Sequence, residues 1–174
     1  MTKENLPEKK VVFERVLAMP SAWTFSIKPI QKLLEEEVGE GQWVDPYCGK
    51  NGSKYAQTTN DLAQGGKDAL DFLRELPSEH FDGVLLDPPY SLRQVSEHYK
   101  KAGMKITGWH TSAGYNSALK NEAARILKTG GKVICFGWNS NGLGKSRGFS
   151  LQRLLLVPHG GSKNDTICTV ETKT

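Results

Sequence analysis

The chain has 174 residues, 37% of them hydrophobic and 24% charged, with a formal net charge of +4. That length fits one domain with a real core, and the composition is too apolar for a disordered chain. The longest aliphatic run, Leu154-Leu155-Leu156-Val157, is far short of the roughly 20 residues a membrane span needs.

Residues 1–10 are polar and charged, so they read as a loose arm and not as a secretory leader. Pro29 opens a helix whose apolar residues, Ile30, Leu33, Leu34 and Val38, fall at helical spacing before Gly39 and Gly41. Gln42 to Asp45 reads as a strand that runs into a turn containing Gly49 and Gly52. Tyr55 to Thr59 reads as a second strand, ending at Asn60-Asp61. Ala69, Leu70, Leu73 and Leu76 predict a helix closed by Pro77, and Phe81 to Leu86 a buried strand that stops at Asp87-Pro88-Pro89-Tyr90. Residues 91–115 are polar and punctuated by Gly, and they give no clear element. A helix follows, carrying Ala118, Leu119, Ala123, Ile126 and Leu127, with Gly130-Gly131 as its end. Lys132 to Gly137 is a strand, and residues 138–148 are a loop of Gly, Asn, Ser and Lys. Gln152 to Pro158 and Asp165 to Glu171 read as two strands joined by a short turn.

Strands alternating with helices predict an α/β fold with a mostly parallel sheet. The last two strands are joined too tightly for a helical crossover, so they form an antiparallel C-terminal hairpin. In such a sheet the ligand site lies beyond the carboxyl ends of the strands. Asp45, Asp61, Asp87 and Trp138 all follow strands and are expected along that edge. Only 19 residues separate Asp61 from Phe81, which leaves room for one helix and a shortened strand near Lys67-Asp68. The whole chain, 1–174, is expected to be one domain.

Charge is unevenly spread. Residues 1–90 hold 10 Lys/Arg against 15 Asp/Glu, whereas residues 91–153 hold 11 Lys/Arg against 2 acids, Glu97 and Glu122. A basic segment of that density suggests a polyanion partner. Cys48, Cys135 and Cys168 are widely spaced, which excludes a disulfide framework and a cysteine zinc site and fits a reducing, cytoplasmic location. His80, His98, His110 and His159 share no metal-ligand spacing. Gly144-Lys145-Ser146 lacks the earlier glycine of a phosphate loop. Trp109 and Tyr115 suit either base stacking or the core.

Three stretches, in chain order, carry a resemblance: Phe25-Ser26-Ile27-Lys28-Pro29-Ile30, then Asp45-Pro46-Tyr47-Cys48-Gly49-Lys50-Asn51-Gly52, then Asp87-Pro88-Pro89-Tyr90. Together the chain resembles the DNA adenine-N6 methyltransferases that use S-adenosylmethionine and have a class I, Rossmann-like fold. The resemblance implies that Asp87, Pro88, Pro89 and Tyr90 form the catalytic corner. It places Phe25, Lys28, Asp45, Pro46, Tyr47, Gly49, Asp61 and Asp68 around the cofactor, with Asp61 on its ribose and Asp68 near its adenine. It implies DNA as partner, held by the basic 91–153 segment, with no metal and no membrane. An oligomer or a specificity subunit is a further implied partner. No separate target-recognition domain is evident, so a short or relaxed recognition sequence is expected.

The chemistry is consistent with those residue types. Adenine's exocyclic amine is a poor nucleophile because its lone pair is delocalised into the ring. A carboxylate and a carbonyl that accept its two hydrogens draw the nitrogen toward a tetrahedral state. Prolines that fix these acceptors in advance give preorganised electrostatic help, and holding amine and methyl in line supplies the rest. A base must leave the stack to reach such a corner. RNA adenine, cytosine-N4 and a catalytically silent binding subunit are the alternative readings. Protein glutamine methylation goes with Asn in place of Asp87.

Overall fold

The computed structural model describes residues 10–174, so the expected arm lies, apart from Lys10, outside the described residues. Seven strands form one sheet: β1 (Val12–Arg15), β2 (Trp43–Asp45), β3 (Thr58–Thr59), β4 (Phe81–Leu86), β5 (Leu127–Gly137), β6 (Phe149–Val157) and β7 (Thr166–Lys173). Their order across the sheet is β1-β6-β7-β5-β4-β2-β3. The pairs β1–β6, β2–β3, β2–β4 and β4–β5 are parallel. Both pairs made by β7 are antiparallel, as the tight connection after β6 requires.

Four α-helices lie among the described residues: α1 (Lys28–Glu37), α2 (Ala69–Glu75), α3 (Leu92–Lys101) and α4 (Ala113–Ile126). Strand side chains alternate between the faces, so adjacent residues serve different cores. Val84 and Leu86 pack with α2 and α4, through Leu70, Leu73, Leu119 and Ile126. Leu85 and Ile134 pack on the other face with Ile30, Leu33 and Leu34 of α1. All three α1 side chains are fully buried, each contributing roughly 1.5–3 kcal/mol. Among the described residues, no helix is long and apolar enough to cross a membrane.

The structure corrects two expectations and adds two elements where none was expected. Lys67-Asp68 forms no strand; Asp68 is the N-cap of α2, its carboxylate accepting from the Leu70 N–H at 3.0 Å. Gly65 turns the chain at φ 85° and α2 starts four residues later, which leaves no length for a strand. Instead β1 extends the opposite edge. Arg153 on β6 holds it there, pairing with Glu14 of β1 at 2.6 Å and with Glu36 and Glu37 of α1 at 2.7 and 3.2 Å. The unassigned residues 91–115 contain α3, opened by a capping box in which Ser91 and Gln94 satisfy each other's backbone N–H groups. Finally, Gly130-Gly131 does not end a helix. Leu127 already pairs with Phe81, and the pairing slips between there and Gly83–Lys132, so the glycines, Gly130 at φ 81°, form a bulge within β5.

Gly83 pairs directly with Trp43 on the neighbouring strand. A Cβ at 83 would lie within the Trp43 indole. Gly83→Ala is expected to destabilise the protein by about 1–3 kcal/mol in urea unfolding. An unchanged midpoint would mean that the buried indole can move aside.

Candidate active site

Because β2, β3 and β4 are parallel, the residues that follow them share one edge. Asp45, at the end of β2, is fully buried. Its Oδ1 accepts from the Tyr47 N–H at 3.0 Å, which folds the Asp45-Pro46-Tyr47 turn, while its Oδ2 has no partner. Burial pushes its carboxyl up to about 7, with the Asp87 and Asp61 charges adding to the rise. Gly49 turns the loop at φ 68° and its N–H donates to Asp61 Oδ2 at 3.0 Å. Asp61 Oδ1 is buried and unpartnered. Asn60 ties the loops together. Its amide donates to the Pro46 and Lys67 carbonyls at 3.3 and 2.9 Å, and its oxygen accepts from Lys67 N–H at 2.9 Å.

Asp87 ends β4, and the two prolines turn the chain away from the sheet at once. The Tyr90 hydroxyl donates to Asp87 Oδ1. Burial raises the Asp87 carboxyl to about 6, against the pull of the Tyr90 and Thr24 hydroxyls. Burial and the Asp87 charge push the Tyr90 hydroxyl strongly up as well. The Tyr90 ring meets Trp138 edge-on, centroids 5.8 Å apart.

This corner separates two spaces. On the β2 and β3 side lies a cleft in two lobes. One, of about 420 Å³, is lined by Asp61, Gly49, Thr24, Asp87 and Tyr90. The other, of about 470 Å³, is lined by Phe25, Tyr47, Gly49, Gly52 and Asp87. On the β5 side lies a cavity of about 500 Å³ lined by Tyr90, Trp138, Asn116, Asn139 and Asn141. Pro88, Pro89 and Tyr90 face both sides.

The structure therefore brings together Phe25, Asp45, Tyr47, Gly49, Asp61, Asp87, Pro88, Pro89 and Tyr90. Pro46 faces a smaller cavity of about 40 Å³ that also receives Asp68 and Tyr115. Lys28 stands apart: it is exposed and lines a groove with Met19 and Arg153, away from the cleft. Asp68 is buried and already has partners, accepting from the Tyr99 hydroxyl and from the Tyr115 hydroxyl at 2.9 and 3.1 Å. Tyr115 is thus a core residue, whereas Trp109 is 48% exposed. Sequence reading missed Trp23 and Thr24, which wall the cleft. Their place directly before Phe25 was the available signal. It also missed Gln94, His98 and Lys101, which reach the cleft from α3.

Much of the basic segment is neutralised within the protein. Lys128 pairs with Asp82 at 2.7 Å, Lys132 with Glu37 at 2.9 Å and Arg125 with Glu122 at 2.6 Å, and Arg153 holds Glu14, Glu36 and Glu37. Arg93 pairs with Glu97 at 2.8 Å. Lys120 and Arg147 bond loop carbonyls. Lys100, Lys101, Lys105 and Lys145 make no such contact with a described residue.

Compared with known proteins, the chain matches no family model and no curated sequence. Solved structures do match. TrmN from Thermus thermophilus superposes with a TM-score of 0.52 at 18% identity, over 85% of this chain and 49% of that one. The present chain thus spans about half the length of that protein. The 1,6-didemethyltoxoflavin-N1-methyltransferase of Burkholderia thailandensis, solved with bound 1,6-didemethyltoxoflavin and S-adenosylhomocysteine, gives a TM-score of 0.52 at 13% identity, over 84% of this chain and 77% of that one. Together with the sheet order, these similarities define a class I, Rossmann-like methyltransferase fold.

The cleft fits a cationic cofactor of the S-adenosylmethionine kind. Two acids, Asp61 and Asp87, line it, with Asp45 buried behind them, and no Lys or Arg among the described residues forms a salt bridge with the three. One oxygen of a lining acid, Asp61 Oδ1, is buried without a partner. A ligand with hydroxyl donors and a positive centre satisfies that arrangement, because buried acceptors left unpaired are costly.

Proposed function

We propose that this protein is a methyltransferase that methylates the exocyclic N6 of adenine in DNA, with S-adenosylmethionine as donor. The observation that carries the reading is the Asp87–Tyr90 corner, whose two faces open on a carboxylate-floored cleft and on an aromatic, amide-lined cavity. S-adenosylmethionine supplies a methyl group on a cationic sulfur, which keeps the bonding electrons when the methyl leaves.

The chain's own residues prepare the acceptor. Asp61 offers a free buried oxygen to a ribose hydroxyl, and Gly49 and Gly52 let the loop backbone approach closely. Asp87 and the Pro88 carbonyl accept the two amine hydrogens of the target. The Tyr90 hydroxyl holds Asp87 Oδ1, so the amine takes the other carboxylate oxygen. As the nitrogen gains its methyl it must lose a proton, and the role assigned to Asp87 is to accept it. Tyr90 and Trp138 supply rings for the base.

Only the ionised Asp87 carboxylate can accept both the hydrogen bond and the proton. Its raised value of about 6 means that transfer falls as pH drops through that value and levels off above it. A pH profile with methyl-tritiated donor checks this, and a rate independent of pH between 5 and 8 would take Asp87 out of the chemistry. The same assay on DNA, RNA and free nucleosides tests the substrate class. Counts retained in DNA and not in the others support the reading, and counts in RNA or nucleosides alone reject it.

A further inference from the structure

We propose that the outer edge of β1 is a dimer interface, on which a second copy of this chain pairs its own β1 antiparallel about a twofold axis at Glu14. The interface goes beyond the reaction above and does not depend on it.

β1 is the last strand on its side of the sheet, and no strand among the described residues lies beyond it. The Val16 N–H donates to the Leu156 carbonyl at 3.0 Å and the Ala18 N–H to the Pro158 carbonyl at 3.1 Å, so the even-numbered residues turn their backbone groups toward β6. Val11, Phe13, Arg15 and Leu17 turn theirs outward. An exposed edge normally carries lysine, proline or a bulge that keeps other strands away. Residues 11–17, Val-Val-Phe-Glu-Arg-Val-Leu, hold no lysine and no proline, and β1 keeps an unbroken register with β6. The edge is instead apolar: Val12 is 51% exposed, Phe13 63% and Leu17 70%. Leu154 and Leu156, the register partners of Phe13 and Arg15, are half-buried and join neither core. Apolar surface concentrated in this way marks a contact.

The side chains fit a second copy of the same strand. Antiparallel pairing about Glu14 sets Phe13 opposite the copy's Arg15, Val12 opposite the copy's Val16 and Val11 opposite the copy's Leu17, each contact occurring twice by symmetry. The outward N–H and C=O groups of Phe13 then bond those of the copy's Arg15, and those of Val11 bond the copy's Leu17. An arginine packs favourably over an aromatic face, and the valines and leucine meet apolar partners. The like charges that meet are the two Glu14 carboxylates, and each is already neutralised by its own Arg153 at 2.6 Å. Moving the axis to Arg15 would bring two guanidinium groups face to face, and moving it to Phe13 would set Val12 against Glu14. Val16 lies at a groove of about 680 Å³ lined also by Leu17, Met19 and Ile27, and the copy's Val12 arrives at that rim. β6, β7 and β5 stand between β1 and β4, so the pairing leaves the Asp87 cleft open in both copies.

The test is sedimentation equilibrium of the full chain over a concentration series, up to roughly 1 mM, where even weak association shows. The wild type is expected to reach twice its mass of 19.2 kDa. Phe13→Lys sets a lysine opposite each Arg15 and should raise the dimer's dissociation constant by about 10-fold or more, because like charges opposed across a ladder repel at two places. Adding Arg15→Glu to Phe13→Lys makes both pairs opposite in charge and should restore the dimer. Leu17→Lys, at a similarly exposed position, is a second probe and should weaken the dimer as well. Circular dichroism confirms that the variants are folded. A monomer at every concentration overturns the proposal and leaves the edge to another strand or to none. A dimer that both lysine variants leave intact overturns it too. So does a dimer weakened by Phe13→Lys that Arg15→Glu fails to recover, since the two residues would then not face each other.

Discussion

Asp87→Ala is expected to lower methyl transfer by at least about 10²–10³-fold, the loss typical of one preorganised electrostatic group, while S-adenosylmethionine still binds. Asp87 follows six residues of β4, four of them consecutive and buried, and two prolines fix the turn behind it. Its position is therefore set by the sheet and does not depend on a ligand. Burial has already raised the energy of its charge, as its value of about 6 records. A hydrogen-bond donor that reaches it in the cleft, which Asp87 lines, is correspondingly well received. Alanine removes that acceptor and frees the Tyr90 hydroxyl from its partner. It removes nothing from Asp61 or Gly49. Single-turnover rates at saturating donor, with calorimetry for binding, check both halves. Complete loss of donor binding would reassign Asp87 to the cofactor.

Asp61→Ala is expected to raise the donor's dissociation constant by about 10- to 100-fold, corresponding to the roughly 1.5–3 kcal/mol of hydrogen bonds to a charged group. One Asp61 oxygen accepts from the Gly49 N–H at 3.0 Å and the other is buried with no partner. Alanine thus removes the free acceptor and also loosens the glycine loop. Asp61→Asn keeps one acceptor and is expected to fall between alanine and wild type. Titration calorimetry measures both variants, and an unchanged constant for alanine would remove Asp61 from the site.

Where the sequence was readable, signals were local. Phe81–Leu86 is a continuous apolar run closed by two prolines, and it is a strand with those bounds. Pro29 with Ile30, Leu33 and Leu34 marks α1 in the same way. The Asp87–Tyr90 corner and the glycine loop lie immediately after such strands, so parallel topology alone brings them to one edge. The failures involve partners distant in sequence. β1 is four residues long and its mate β6 begins more than 130 residues later. A count of charges gave residues 91–153 a large excess, but it could not show that Arg153 is held by Glu14, 139 positions away. Asp68 looked available to a ligand because Tyr99 and Tyr115, which occupy it, come from elements 31 and 47 residues further on. Helix α3 buries only Tyr99 and is mostly polar, but Leu92, Val95 and Tyr99 at helical spacing and the Ser91–Gln94 cap were signals that could have found it.

The most direct test of the account is mass spectrometry of nucleosides from DNA incubated with the protein and methyl-deuterated S-adenosylmethionine. The account predicts label in N6-methyl-2′-deoxyadenosine with the wild type and none with Asp87→Ala. Label on cytosine, or adenine labelled equally by the wild type and Asp87→Ala, would contradict it.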